Sequence, residues 1–123
     1  MHPFRAAVED GDLDRLKALL ADDVTFNSPA VFKPYSGRDT VAFILAAVFR
    51  VFEDFRYESE IGAADETDHA LVFRARVGDR EVHGIDLVRM NADGEVADLT
   101  VMIRPLSALT AVSQAMGAQL EAA

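Results

Sequence analysis

Apolar positions along this chain change their period twice, and the changes divide it into helical and extended stretches. From Phe4 to Leu20 they recur at helical spacing, first as Phe4, Ala7 and Val8 and then as Leu13, Leu16 and Leu20. That predicts a helical hairpin, or one helix broken at Gly11. Pro3 suits a first helical turn, where its missing N–H costs nothing, and Asp12 stands where it can cap the second segment. Val24-Thr25-Phe26-Asn27-Ser28 alternates instead, predicting a short strand with Val24, Phe26 and Ser28 on one face and Pro29 as its stop. The loop from Pro29 to Gly37 carries Phe32 and Tyr35. These two aromatic side chains are candidates for a lid over a cavity, or for tacks that hold the loop to the core.

Ser36 followed three residues later by Asp39 is a capping-box pattern. Behind it come Val41, Ile44, Leu45, Val48, Phe49 and Phe52, the most regular helical stripe in the chain, widened by Phe43, Val51 and Phe55. From Arg56 the period is two. Strands are predicted at 57–61, 71–77, 82–90 and 96–104, with turns at 64–68, at Gly78-Asp79 and at 91–94. Connections this short make neighbouring strands antiparallel. Pro105 ends the sheet, and Leu106, Leu109, Val112 (or Ser113), Met116 and Leu120 predict an amphipathic terminal helix weakened by Gly117. No internal repeat or linker interrupts the pattern, so residues 1–123 read as one domain. Its class is α+β, a curved antiparallel sheet wrapped around helices.

Composition narrows the functional classes. The chain has 123 residues, 50% hydrophobic and 27% charged, which is enough for one core and globular in balance. A net charge of −9 argues against nucleic acid or an anionic membrane as partner. With no cysteine there is no disulfide framework and no thiolate chemistry. Glu9, Asp10 and Asp12 interrupt any early apolar run, so the pattern of a signal peptide is missing, and no stretch has the length of a membrane span. The expectation is a cytoplasmic protein. His2, His69 and His83 share no metal-ligand spacing, so no metal is expected, and nothing in the sequence calls for a cofactor.

The candidate chemistry lies on the strand Val82-His83-Gly84-Ile85-Asp86-Leu87-Val88-Arg89-Met90. Alternation puts Asp86 on one face with Val82, Gly84, Val88 and Met90, and turns His83, Ile85, Leu87 and Arg89 to the other. An ionised carboxylate among apolar groups must find a partner or raise its pKa. From the residues alone, a structural Asp86 and a functional one weigh equally. On the opposite face Ile85 and Leu87 are apolar residues facing outward, which signals association; a homodimer interface or cover by the terminal helix would each account for them.

The order of elements, with Asp22-Asp23-Val24-Thr25-Phe26-Asn27-Ser28-Pro29, Ser36-Gly37, Ile85-Asp86-Leu87-Val88-Arg89-Met90 and Gly94, resembles the nuclear transport factor 2-like superfamily. The pattern is most similar to its ketosteroid isomerase and SnoaL-like branches. The resemblance runs nearly to Arg104 and implies a cone-shaped α+β fold, an apolar pocket and a dimer; the terminal helix is an addition to it. The isomerase works with a protonated aspartate, a basic aspartate and a tyrosine. The resemblance carries these onto Asp86, Ser28 and Phe4 respectively. Losing a general base costs ~10²–10⁴-fold and losing an oxyanion donor ~10²–10³-fold, which argues against ketosteroid isomerase activity. The epoxide-hydrolase branch would need an arginine where Gly84 stands, and the dehydratase branch needs pocket histidines. Single-aspartate acid/base chemistry of the polyketide-cyclase kind asks least of the protein.

Two functional expectations follow. One is an isomerase, cyclase or lyase acting on a small polyketide- or steroid-like carbonyl compound, with Asp86 as acid or base and Ser28 binding a substrate oxygen. Phe4, Phe26, Val88 and Met90 would form the walls, with Leu99, Val101 and Ile103 added from the next strand. The other is a non-catalytic dimer that binds an apolar ligand, with Asp86 as polar anchor. A collapsed pocket with Asp86 tied to the backbone is the purely structural reading.

Overall fold

In the computed structural model, which describes residues 1–122, the chain runs through four helices and six strands. Helix α1 (Pro3–Glu9) starts at Pro3, as the sequence suggests, but its cap is an imidazole: His2 Nδ1 accepts from the Phe4 N–H at 3.1 Å. Helix α2 (Leu13–Leu19) is capped by Asp12, whose carboxylate accepts from the Arg15 N–H at 3.0 Å. Leu20 does not extend this helix. It opens strand β1 (Leu20–Asn27), which is longer than the alternating stretch alone predicts.

Ser36 pairs with Thr25 in a two-residue strand β2 (Tyr35–Ser36), and Gly37, at φ 98°, precedes helix α3 (Arg38–Val51) without any side-chain cap. The capping box expected from Ser36 and Asp39 therefore does not form, because the strand pairing claims Ser36. Helix α3 ends before Phe52, and Phe55 lies in strand β3 (Glu53–Ile61). The apolar stripe predicts both rings on the helix. They keep facing inward because the strand leaves the helix on the same side of the core.

Strands β3, β4 (Asp68–Val77), β5 (Arg80–Met90) and β6 (Val96–Arg104) form the expected antiparallel meander. The whole sheet is mixed, however, in the order β2-β1-β6-β5-β4-β3, because β1 pairs parallel with β6. All of α3 and the meander separate those two strands in sequence, and a crossover of that length is what parallel pairing needs. Register shifts in β3 and β1 bend the sheet, as bulges do. Its concave face holds the core, where Val24, Leu71, Phe73, Val82, Val88 and Leu99 are buried against the helices. The last helix, α4 (Leu106–Ala122), packs on this concave side against α3, β5 and β6. Arg50 Nε donates to Gln119 Oε1 at 2.7 Å and joins α3 to α4. The result is an α+β fold with a curved sheet around its helices and a C-terminal helix added.

Candidate functional site

Between the concave sheet face and the helices lies a cavity of about 440 Å³, within the usual size range for small-molecule sites. Its floor explains the composition of β5. Gly84 lies opposite Phe73, and a Cβ on Gly84 would come within 2.2 Å of the Phe73 ring. The glycine is therefore a seat for that ring. Tyr57, Phe73 and Gly84 form one row across three strands, and Asp86 is the next inward residue along β5. The long Tyr57 side chain reaches across β4 toward β5, and its Oη lies 2.7 Å from Asp86 Oδ2 in a buried hydrogen bond.

An aromatic cluster fixes Tyr57. The Phe55 ring meets it edge-on at 5.0 Å, Phe73 does so at 6.4 Å, and the Arg5 guanidinium lies 5.8 Å from its centroid. Asp86 is 7% exposed. Burial pushes its carboxyl up to about 7, although the Tyr57 hydrogen bond pulls the other way. Burial raises Tyr57 well above the ordinary phenol range, and the neighbouring Asp86 raises it further. At neutral pH the pair thus combines a neutral phenol with a carboxyl near half-protonation. Asp86 lines the cavity, and its Oδ1 makes no hydrogen bond to a protein group among the described residues. A protonated Asp86 can offer that edge to a ligand carbonyl, and an ionised one can accept from a ligand hydroxyl.

Of the other residues singled out in the sequence, Phe4, Phe26, Ser28, Leu99, Val101 and Ile103 line the cavity with Asp86. Val88 and Met90 do not. β5 outruns the cavity, and these two side chains pack into the core beyond it. Phe32 is fully exposed and covers nothing, whereas Tyr35 lines the cavity and stacks on Phe26 at 6.3 Å. Ser28 spends its hydroxyl oxygen locally, accepting from the Ala30 and Val31 N–H groups at 3.0 and 3.3 Å. It shapes the loop and does not stand free as a base. His83 lies on the outer sheet face, its Nε2 3.6 Å from Glu58, away from Asp86.

Three polar residues of the cavity, Tyr57, Glu9 and Ser113, are not singled out as site residues by the sequence. The resemblance puts the tyrosine at Phe4, and the sequence marks Tyr57 only as the start of a strand. Its one signal was the inward alternation of Phe55 and Tyr57. Glu9 also lines the cavity, at the end of α1, paired with Arg5 Nε at 3.3 Å. Among the described residues, no three histidine or carboxylate side chains gather as a metal site would require.

A concave sheet closed by helices around a cavity is the architecture shared with the nuclear transport factor 2-like fold, and the chain belongs to its SnoaL-like family. Residues 2–99 match the SnoaL-like domain family. Among solved structures, the chain is similar to a steroid delta-isomerase from Pseudomonas aeruginosa, with 42% identity and a TM-score of 0.92 over 97% of this chain and 87% of that one. It is also similar to a protein of cystatin-like fold from Silicibacter pomeroyi, at 38% identity and a TM-score of 0.91, over 98% and 87% of the two chains. A third, from Xanthomonas campestris, shares the fold at 19% identity and a TM-score of 0.70, over 89% and 92%. No curated protein compared with the chain matches it.

Proposed function

We propose that this protein takes a small hydrophobic carbonyl compound, polyketide- or steroid-like, into its cavity, and that Asp86 acts there as acid and base, its ionised form taking the proton from the carbon next to the carbonyl and, once protonated, returning it. The observation that carries this reading is the 2.7 Å bond between Tyr57 and Asp86 on an apolar wall, with the Asp86 carboxyl near 7. A carboxyl held there is suited to moving a proton at neutral pH. Tyr57 supplies the phenol that Phe4 lacks. The reaction class is proton transfer next to a carbonyl, as in an isomerase, cyclase or lyase. The similarity to a steroid delta-isomerase at 42% identity supports that class.

The probe is 2-tetralone, a two-ring ketone with exchangeable α-protons. In D₂O the protein is expected to accelerate its exchange, followed by NMR, and Asp86→Asn to remove at least ~10²-fold of the acceleration. If the ketone neither binds nor exchanges, the reading fails. The hydrogen bonds that occupy Ser28 favour a second reading, a binding module with Asp86 as anchor. Under it, 2-tetralone binds, Asp86→Asn weakens binding, and exchange stays at the solvent rate.

We further propose that two chains pair through the outer sheet face around Ile85 and Leu87. Val72, Ile85 and Met102 are register neighbours on that face, and α4 lies on the opposite side of the sheet, so it does not cover them. None of the described helices is long and apolar enough to cross a membrane.

A further inference from the structure

Gly117 sits inside α4, and glycine is the costliest helix-interior residue after proline. Two structural reasons commonly retain such a glycine, and neither applies. Its φ is not positive, and a Cβ built on it meets no atom within 4 Å. The contrast with Gly84 is direct, since there the space is filled by Phe73. Gly117 nevertheless lines the cavity while remaining exposed, as do Ser113 one turn earlier and Ala30 and Val31 on the loop after β1. These four residues mark the cavity's mouth. Helix α4 also lies beyond the segment matched by the SnoaL-like family, which ends at residue 99.

We infer that Gly117 is a notch in the mouth, kept open for the far end of an elongated ligand whose carbonyl reaches Tyr57 and Asp86. The inference rests on the carbonyl-binding reading above. A ligand of two fused rings occupies the inner cavity without needing the notch, while a rigid four-ring ketone extends over the bare backbone at Gly117. Gly117 is in this sense a specificity-determining residue for ligand length.

The test compares Gly117→Ala and Gly117→Leu with the native protein, titrating 2-tetralone and testosterone by calorimetry. Gly117→Ala should melt a few degrees higher, about 3–5 °C, which also reports that the helix is intact. In Gly117→Leu the ratio of testosterone to 2-tetralone affinity should fall by at least ~10-fold, or about 1.4 kcal/mol, with Gly117→Ala between it and the native protein. An unchanged ratio in both variants overturns the inference and leaves the carbonyl reading standing. If neither ketone binds the native protein, the carbonyl reading itself falls and takes the inference with it.

Discussion

Asp86 couples the chemistry of the cavity to the stability of the fold. Its folded pKa of about 7 lies above the ordinary 3.8. Below 3.8 both states hold the proton; between 3.8 and about 7 the unfolded chain releases it while the native carboxyl keeps it, so stability falls progressively as pH rises, until the native carboxyl also ionises near 7. From pH 5 to pH 8 the loss amounts to roughly 2–3 kcal/mol. Asp86→Asn should remove that part of the pH dependence, read as the difference between urea midpoints at the two pH values. Tyr57→Phe should move the midpoint of the loss to higher pH, because the Tyr57 hydrogen bond is what pulls Asp86 down. Equal pH dependence in all three proteins would mean that Asp86 titrates as an ordinary carboxylate. Asp86 was legible in the sequence because strand parity set it among apolar residues. Tyr57 was not, since its partnership joins β3 to β5 across β4, and alternation within one strand does not record which residue two strands away it meets.

Helix α1 carries Phe4, Val8 and Glu9 into the cavity wall and Arg5 onto the Tyr57 ring, so the site depends on how this short helix is held. His2 holds it. Its Nδ1 caps the helix, its N–H donates to the Glu60 carboxylate at 3.2 Å, and its ring meets His69 edge-on at 4.6 Å. Capping requires an unprotonated Nδ1, which leaves the proton of the neutral ring on Nε2. That nitrogen is buried without a partner, as is Nδ1 of His69. Burial, and then the neighbouring His69, lower the His2 pKa, while Glu60 opposes them. A lowered histidine pKa stabilises the fold above the unfolded value of 6.5, and the benefit is lost as pH falls through the folded value. His2→Asn supplies a cap that does not titrate. Urea denaturation should show it matching the native protein at pH 7.5 and losing less stability by pH 5. A parallel decline in both proteins would remove His2 as the acid-sensitive element. Among the elements, the meander was legible from its turn residues. The end of α3 was not, because Phe52 and Phe55 serve the same apolar interior from a helix end and from a strand, and an apolar stripe does not record that change of backbone.

At the scale of the whole molecule, the parallel pairing of β1 with β6 was the feature least legible from the chain, because alternation describes a strand's faces and says nothing about its neighbour. The faces themselves were legible, and they lead to the proposed dimer. The outer sheet face presents Leu87 at 37% and Met102 at 54% exposure, beside Ile85 and Val72. A chain of net charge −9 should repel its own copy. On this face arginines are paired rather than free, Arg74 with Glu58, Arg76 with Glu53 and Asp54, and Arg89 with Asp68, so its charges are largely balanced. An apolar centre with a charged rim is the usual anatomy of a protein interface, and a stable one buries about 800 Å² per partner. Light scattering should therefore report twice the 13.4 kDa chain mass at micromolar concentration. Leu87→Lys puts a charge in the apolar centre and should yield the monomer. Because Leu87 points away from the cavity, the monomeric variant should still bind 2-tetralone. A native protein that stays monomeric at high concentration, or a Leu87→Lys variant that stays dimeric, would exclude this face as the interface.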